Sequence, residues 1–136
     1  MKIYFDMDGT IADLYARATW LEELIAESVA PYAEAKPMVA EAELLKLEAK
    51  GYELGIVSWT AKNGSKAYNR AVKIAKVEWL KANFPNVHFT EIHVVKYGTP
   101  KSKVVKEKNS ILFDDEEPNR KEWKGKAYKP DKIKNF

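Results

Sequence analysis

The sequence predicts an α/β fold of three layers, a central parallel sheet between helices, and three observations carry that expectation. Short apolar runs alternate along the chain with longer stretches of helical period, the order that builds parallel sheets. The apolar runs before Asp6, Ser58 and Asp114 each end in a polar residue that can do chemistry. The length, 136 residues, suits one domain with a substantial core.

Taken in order, residues 2–5 form a short strand ending at Asp6. Residues 12–30 repeat Leu14, Ala18, Leu21, Ile25 and Val29 every three to four positions, which predicts a helix, and Pro31 and Pro37 interrupt it. Residues 39–50 predict a second helix with Ala42, Leu45 and Ala49 on one face, closed by Gly51. Residues 52–58 predict the next strand. Residues 65–83 predict a long helix that buries Ala67, Tyr68, Ala71, Val72, Ala75 and Trp79 and turns Lys66, Arg70 and Lys73 outward. Pro85 stops it. A third strand follows at 89–95, a short helix after Pro100, a fourth strand at 111–113, a helix at 117–123 and a last short strand at 127–128. The tail from Lys129 reads as loosely held. No internal repeat, linker or low-complexity segment divides the chain.

Composition narrows the chemistry. With no cysteine, disulfides, thiolate metal sites and cysteine nucleophiles are excluded. No apolar stretch approaches membrane-spanning length, so no membrane partner is expected. The opening residues are already strand-like, without a signal peptide, and the expected location is cytoplasmic. The net charge of +3 hides an asymmetry: residues 1–60 carry a balance of −6 and residues 61–136 a balance of +9. A basic half favours an anionic partner or substrate, although lysine-rich surfaces also serve solubility alone.

The segment Asp6-Met7-Asp8-Gly9-Thr10 holds most of the chemical information. Side chains two apart on a strand share a face, so both carboxylates can reach one substrate atom, and Gly9 lets the backbone turn beyond them. One acid can attack while the other handles a proton. Calcium in an EF-hand loop is rejected, because Ile11 and Arg17 stand where that loop needs glycine and an acid. A sugar-nucleotide DxD site would leave Ser58, the lysines at 101 and 103, and Asp114-Asp115 without a role. In an open parallel sheet, ligands sit beyond the carboxyl ends of the strands at the switch point, where Asp6, Ser58 and Asp114 are expected.

Four segments in order resemble the haloacid dehalogenase (HAD) superfamily of phosphohydrolases: Phe5-Asp6-Met7-Asp8-Gly9-Thr10, Gly55-Ile56-Val57-Ser58, the lysine region Thr99-Pro100-Lys101-Ser102-Lys103, and Ile111-Leu112-Phe113-Asp114-Asp115. The resemblance spans nearly the whole chain. It implies a HAD-like Rossmannoid fold with a minimal helical cap over about residues 12–40, since only 49 residues separate Asp8 from Ser58. It implies an aspartyl-phosphate mechanism in which Asp6 is the nucleophile and Asp8 protonates the leaving oxygen, then activates water. Asp8 would then need a raised pKa from burial and nearby negative charge. The implied cofactor is Mg2+, bound by Asp6, the backbone carbonyl of Asp8 and the acid pair, with Asp115 favoured as direct ligand over Asp114 and the reverse left open. Ser58 would hydrogen-bond a phosphoryl oxygen, helped by Gly9, Thr10, Trp59, Thr60 and backbone amides after the strand. Lys101 is favoured over Lys103 as the lysine that offsets charge on Asp6 and phosphate. Dehalogenation, which needs no metal, fits the acid pair less well.

The run Asp6-Met7-Asp8-Gly9-Thr10-Ile11-Ala12-Asp13 and an acid pair before proline also resemble the deoxyribonucleotidase branch of that superfamily. The resemblance implies a small phosphorylated metabolite as partner, a nucleoside or deoxynucleoside monophosphate foremost. Tyr15, Trp20, Tyr32 and Trp59 are candidates to stack on a base. Two alternatives stay open: a phosphatase on nucleic-acid ends, suggested by Lys62, Lys66, Arg70 and Lys73, and a non-catalytic phosphate- or protein-binding module.

Overall fold

The computed structural model describes residues 1–136. In chain order the elements are β1 (Lys2–Phe5), β2 (Ala12–Asp13), α1 (Trp20–Ile25), α2 (Ala30–Ala33), β3 (Lys36–Pro37), α3 (Glu41–Ala49), β4 (Glu53–Trp59), α4 (Lys66–Asn83), β5 (Phe89–Val95), α5 (Lys101–Val104), β6 (Ile111–Phe113), α6 (Glu117–Glu122), β7 (Lys126–Tyr128) and a terminal 3-10 helix (Pro130–Asn135). Five strands form one sheet in the order β5-β4-β1-β6-β7, and every neighbouring pair is parallel. The chain builds outward from β1 to β5, then returns to the other side of β1 for β6 and β7. That reversal makes the carboxyl end of β1 the switch point of a Rossmann-like sheet.

Alternation along the strands divides the core between two faces. Ile3, Phe5, Leu54, Ile56, Ile111 and Phe113 pack against Leu44 and Leu47 of α3, Trp79 and Leu80 of α4, and Ile133 of the terminal helix. Tyr4, Val57 and Leu112 point to the opposite face, against Val105 and Trp123 beside α5 and α6. A smaller apolar cluster joins Leu14, Tyr32 and Ala61 to Tyr68 and Val72 of α4, and so seats residues 12–37 on that helix. No helix is long and apolar enough to cross a membrane.

Strand placement follows the sequence closely, and four expectations change. The helix over 12–30 is instead β2, a turn, and the separate α1 and α2. Ala12 and Asp13 are drawn into an antiparallel ladder with Pro37 and Lys36, and the Asp13 carboxylate accepts from the Ala16 amide. Glu27 adopts φ 59°, a left-handed conformation through which a helix cannot continue. In α3 the buried residues are Leu44 and Leu47, while Ala42 and Ala49 are exposed, because the larger side chains claim the core. In α4, Tyr68, Val72 and Trp79 are buried as expected, Ala67 and Ala71 are exposed, and Lys76 and Leu80 take their share of the face. Gly51 ends α3 with φ 95°, the glycine stop the sequence signalled.

The tail is held rather than loose. Ile133 is buried in the main core, and Phe136 packs on Phe113, Tyr52 and Tyr128. Ile133→Ala should therefore lower unfolding free energy by about 2–4 kcal/mol in urea titrations, as for other buried aliphatic truncations. A loss near zero would show that the tail contributes no stability.

Candidate active site

β1 delivers Asp6 to the switch point, its amide hydrogen-bonded to the Phe113 carbonyl of β6 at 3.0 Å. The chain then turns tightly, with the amides of Thr10, Ile11 and Ala12 all donating to the Met7 carbonyl. Gly9 is required here on two counts: its φ is 80°, and a Cβ would land on the Asp115 carboxylate. Thr10 is buried beneath the acids. Its hydroxyl lies 3.4 Å from both Asp6 Oδ2 and Asp115 Oδ1 and accepts from the Asp115 amide at 3.2 Å.

Lys101, the first residue of α5, is almost fully buried and donates to Asp6 Oδ1 at 2.9 Å and to Asp114 Oδ2 at 2.7 Å. The two carboxylates hold its pKa above the ordinary lysine value despite burial. Lys103 is exposed and stands outside this cluster. The paired acids divide their work. Asp114 is wholly buried, with Oδ1 accepting from the Glu116 amide and Oδ2 from Lys101 and Asn119. Asp115 instead lines the cleft above Asp6.

Burial, reinforced by the charge on Asp6, pushes Asp114 up to about 6 and Asp115 up to about 7. Burial likewise raises Asp8, with Lys76 opposing the shift and Asp6 adding to it. The partner of Asp8 is Lys76 of α4, whose ammonium donates to Asp8 Oδ2 at 2.8 Å, Ser58 Oγ at 2.9 Å and the Trp59 carbonyl at 2.7 Å. The sequence reading missed Lys76. The available signal was its place in the apolar stripe of α4, four residues after Val72 and three before Trp79.

Ser58 is fully buried behind Lys76 and does not line the cleft; Thr60 presents the hydroxyl residue there. Gly9 and Thr10 also shape the site from below rather than lining it. Trp59 reaches the cleft, fixed by a 2.8 Å bond from its indole N–H to the Thr99 carbonyl and flanked by Tyr97 at 4.9 Å. The cleft measures about 690 Å³. Asp6, Asp8, Lys101 and Asp115 form its charged end, while Tyr15, Trp20 and Tyr32 come from the segment between β1 and α3.

The donor set suits a hard divalent cation. Carboxylate oxygens of Asp6, Asp114 and Asp115 lie within 4.8 Å of one another. Counting Asp8, four carboxylates face two ammonium groups, a formal surplus of two negative charges. Since both Asp114 oxygens are engaged, Asp6 and Asp115 are the side chains free to bind an ion from the cleft. No protein-family model matches this chain, and no curated protein matches it.

Cation binding requires the Asp115 proton to leave, so affinity should rise with pH through about 7. Near 100 times its Kd, Mg2+ should stabilise the fold by about 2–3 kcal/mol at pH 8, and much less at pH 6. Asp115→Asn should remove most of that gain. Thermal melts with Mg2+ and with EDTA read it directly, and equal melting points at both pH values would rule the site out.

Proposed function

We propose that this protein is a Mg2+-dependent phosphomonoester hydrolase of the haloacid dehalogenase kind, working through an aspartyl-phosphate on Asp6. The observation that carries the reading is the separation of the two acids that follow β1: Asp6 is held by Lys101 in the cleft, and Asp8 by a different lysine. A nucleophile and a proton carrier two residues apart need this kind of separate support.

In the first half-reaction an Asp6 oxygen attacks phosphorus, the ester P–O bond breaks, and the leaving oxygen takes a proton from Asp8. The raised pKa of Asp8 keeps that proton available closer to neutral pH. In the second, Asp8 accepts a proton from water as the water oxygen attacks phosphorus, the bond to Asp6 breaks, and phosphate leaves. Lys101 has three N–H donors, of which two go to Asp6 and Asp114, leaving one for a phosphoryl oxygen. Mg2+, held by Asp6, Asp115 and the Asp8 backbone carbonyl, would supply further neutralisation of phosphoryl charge.

The short segment at residues 12–37 serves as a minimal cap, and the aromatic residues it shares with Trp59 favour a nucleoside or deoxynucleoside monophosphate as substrate. A second reading, hydrolysis of a phosphate at a nucleic-acid end, is favoured by Lys62 at the cleft and by exposed Lys66, Arg70 and Lys73 along the helix that starts beside it.

Phosphate release should be measured on ribo- and deoxyribonucleoside monophosphates, sugar phosphates and 3′-phosphorylated oligonucleotides, with Mg2+ and with EDTA. Release should need Mg2+, vanish in Asp6→Asn, and fall about 10²–10⁴-fold in Asp8→Asn. Preference for oligonucleotides, lost steeply between low and moderate salt, would favour the second reading. Unchanged turnover in Asp6→Asn would exclude the mechanism.

A further inference from the structure

Lys76 is a buried charge to which the two half-reactions above assign no step. Only 1% of the residue is exposed, and it does not line the cleft. An ammonium has three N–H donors, and all three are assigned, to Asp8 Oδ2, Ser58 Oγ and the Trp59 carbonyl. Two of those bonds anchor it to the end of β4. The third reaches across to the loop after β1. The Tyr32 ring lies 5.0 Å from the ammonium, a cation–π contact from the cap side.

We propose that Lys76 is the positioning residue for acid–base chemistry, pinning Asp8 by Oδ2 so that Oδ1 is the atom that gives and takes the proton. The inference rests on the phosphatase reading and names a device which that reading leaves unspecified. Asp8 lines the cleft, and its Oδ1 accepts no hydrogen bond from the protein. A proton on Oδ2 would set an O–H donor against an ammonium donor, whereas Oδ1 has no such conflict. Lys76 also ties Asp8 Oδ2 to the end of β4, because its other two partners belong to that strand. Since Lys76 has no access to the cleft, it acts through Asp8 and not on the substrate.

A lysine that merely ties α4 to the sheet would affect all substrates alike. In kcat/KM, which reports the steps through cleavage of the ester bond, one that positions the general acid matters only where the leaving oxygen needs a proton. The experiment compares kcat/KM for p-nitrophenyl phosphate, whose phenolate leaves unaided, with kcat/KM for the best nucleoside monophosphate, whose alkoxide does not. Lys76→Met should lose about 10²-fold on the nucleotide, as for other small misplacements of a reacting group, and only a few-fold on p-nitrophenyl phosphate.

The Asp8→Asn/Lys76→Met double variant should lose no more on the nucleotide than Asp8→Asn alone. Lys76→Arg, which keeps a cationic donor, should recover part of the loss. Lys76→Gln, which keeps an N–H donor, is measured in parallel against misfolding of the methionine variant and should show the same selective loss. With an active wild type, equal losses on both esters, or additive losses in the double variant, overturn the inference and leave the phosphatase reading standing. A wild type inert toward every ester overturns both.

Discussion

The carboxyl ends of β1 and β6 bring four carboxylates into one small volume, and the fold must neutralise them. At the 4.8 Å spacing of the cluster, two like charges repel by about 3–4 kcal/mol at an effective dielectric of 20. Two buried lysines answer this from opposite faces of the sheet. Lys101 comes from α5, which packs beside Tyr4 and Val57, and Lys76 comes from α4, which packs on Phe5 and Ile56 through Trp79 and Leu80. Loss of Lys101 would leave the buried Asp114 and Asp6 without their ammonium partner, a change that in proteins generally costs about 3–5 kcal/mol. The positions of both helices on the sheet are therefore bound to the chemistry at its end.

The lysines also give the acids different surroundings. Asp114 is saturated by Lys101, Asn119 and a backbone amide, so it supports the lysine from behind. Asp115 and Asp6 face the cleft with incomplete neutralisation, which is the condition for holding a cation. Asp8 also lines the cleft, with Oδ2 held by its own lysine. Above them, the segment between β1 and α3 is tied to the core by Glu27, whose carboxylate accepts from the amide and hydroxyl of Ser65, and by the Tyr68 hydroxyl on the Ser28 carbonyl. These ties lie at the start of α4, the same helix that carries Lys76, so that segment and Asp8 share one support.

Much of this was legible in the sequence because strands and acids are local signals. Residues 2–5, 89–95 and 111–113 are strands with the expected bounds, and the rule for open sheets located Asp6 and the acid pair at one end. The segment 12–30 misled because its apolar repeat matches a helix, yet several of those residues face the cleft. Leu21 and Ile25 are exposed there, and the break is set by the left-handed Glu27 and the β2–β3 ladder. The tail misled because Ile133 and Phe136 stand isolated among polar residues and gain meaning only against Phe113. Lys76 was hidden for a related reason. Lysine is seldom buried, so its place in the apolar stripe of α4 was outweighed by its residue type, and its partners are 17 to 68 residues away in sequence. Ser58 was expected to reach a phosphoryl oxygen, but it lies buried outside the cleft lining and accepts from that same missed lysine.

The central claim is that Asp6, held by Lys101, forms the covalent bond to phosphorus and Asp8 does not. Its most direct test is to quench the protein while it is incubated with the phosphate ester it hydrolyses best, reduce with borohydride and map the product by mass spectrometry. An acyl phosphate is reduced to the alcohol, whereas a free carboxylate is not. The account predicts homoserine at position 6 and unmodified aspartate at position 8. Homoserine at position 8, or no reduction at either position while phosphate is being released, would contradict it.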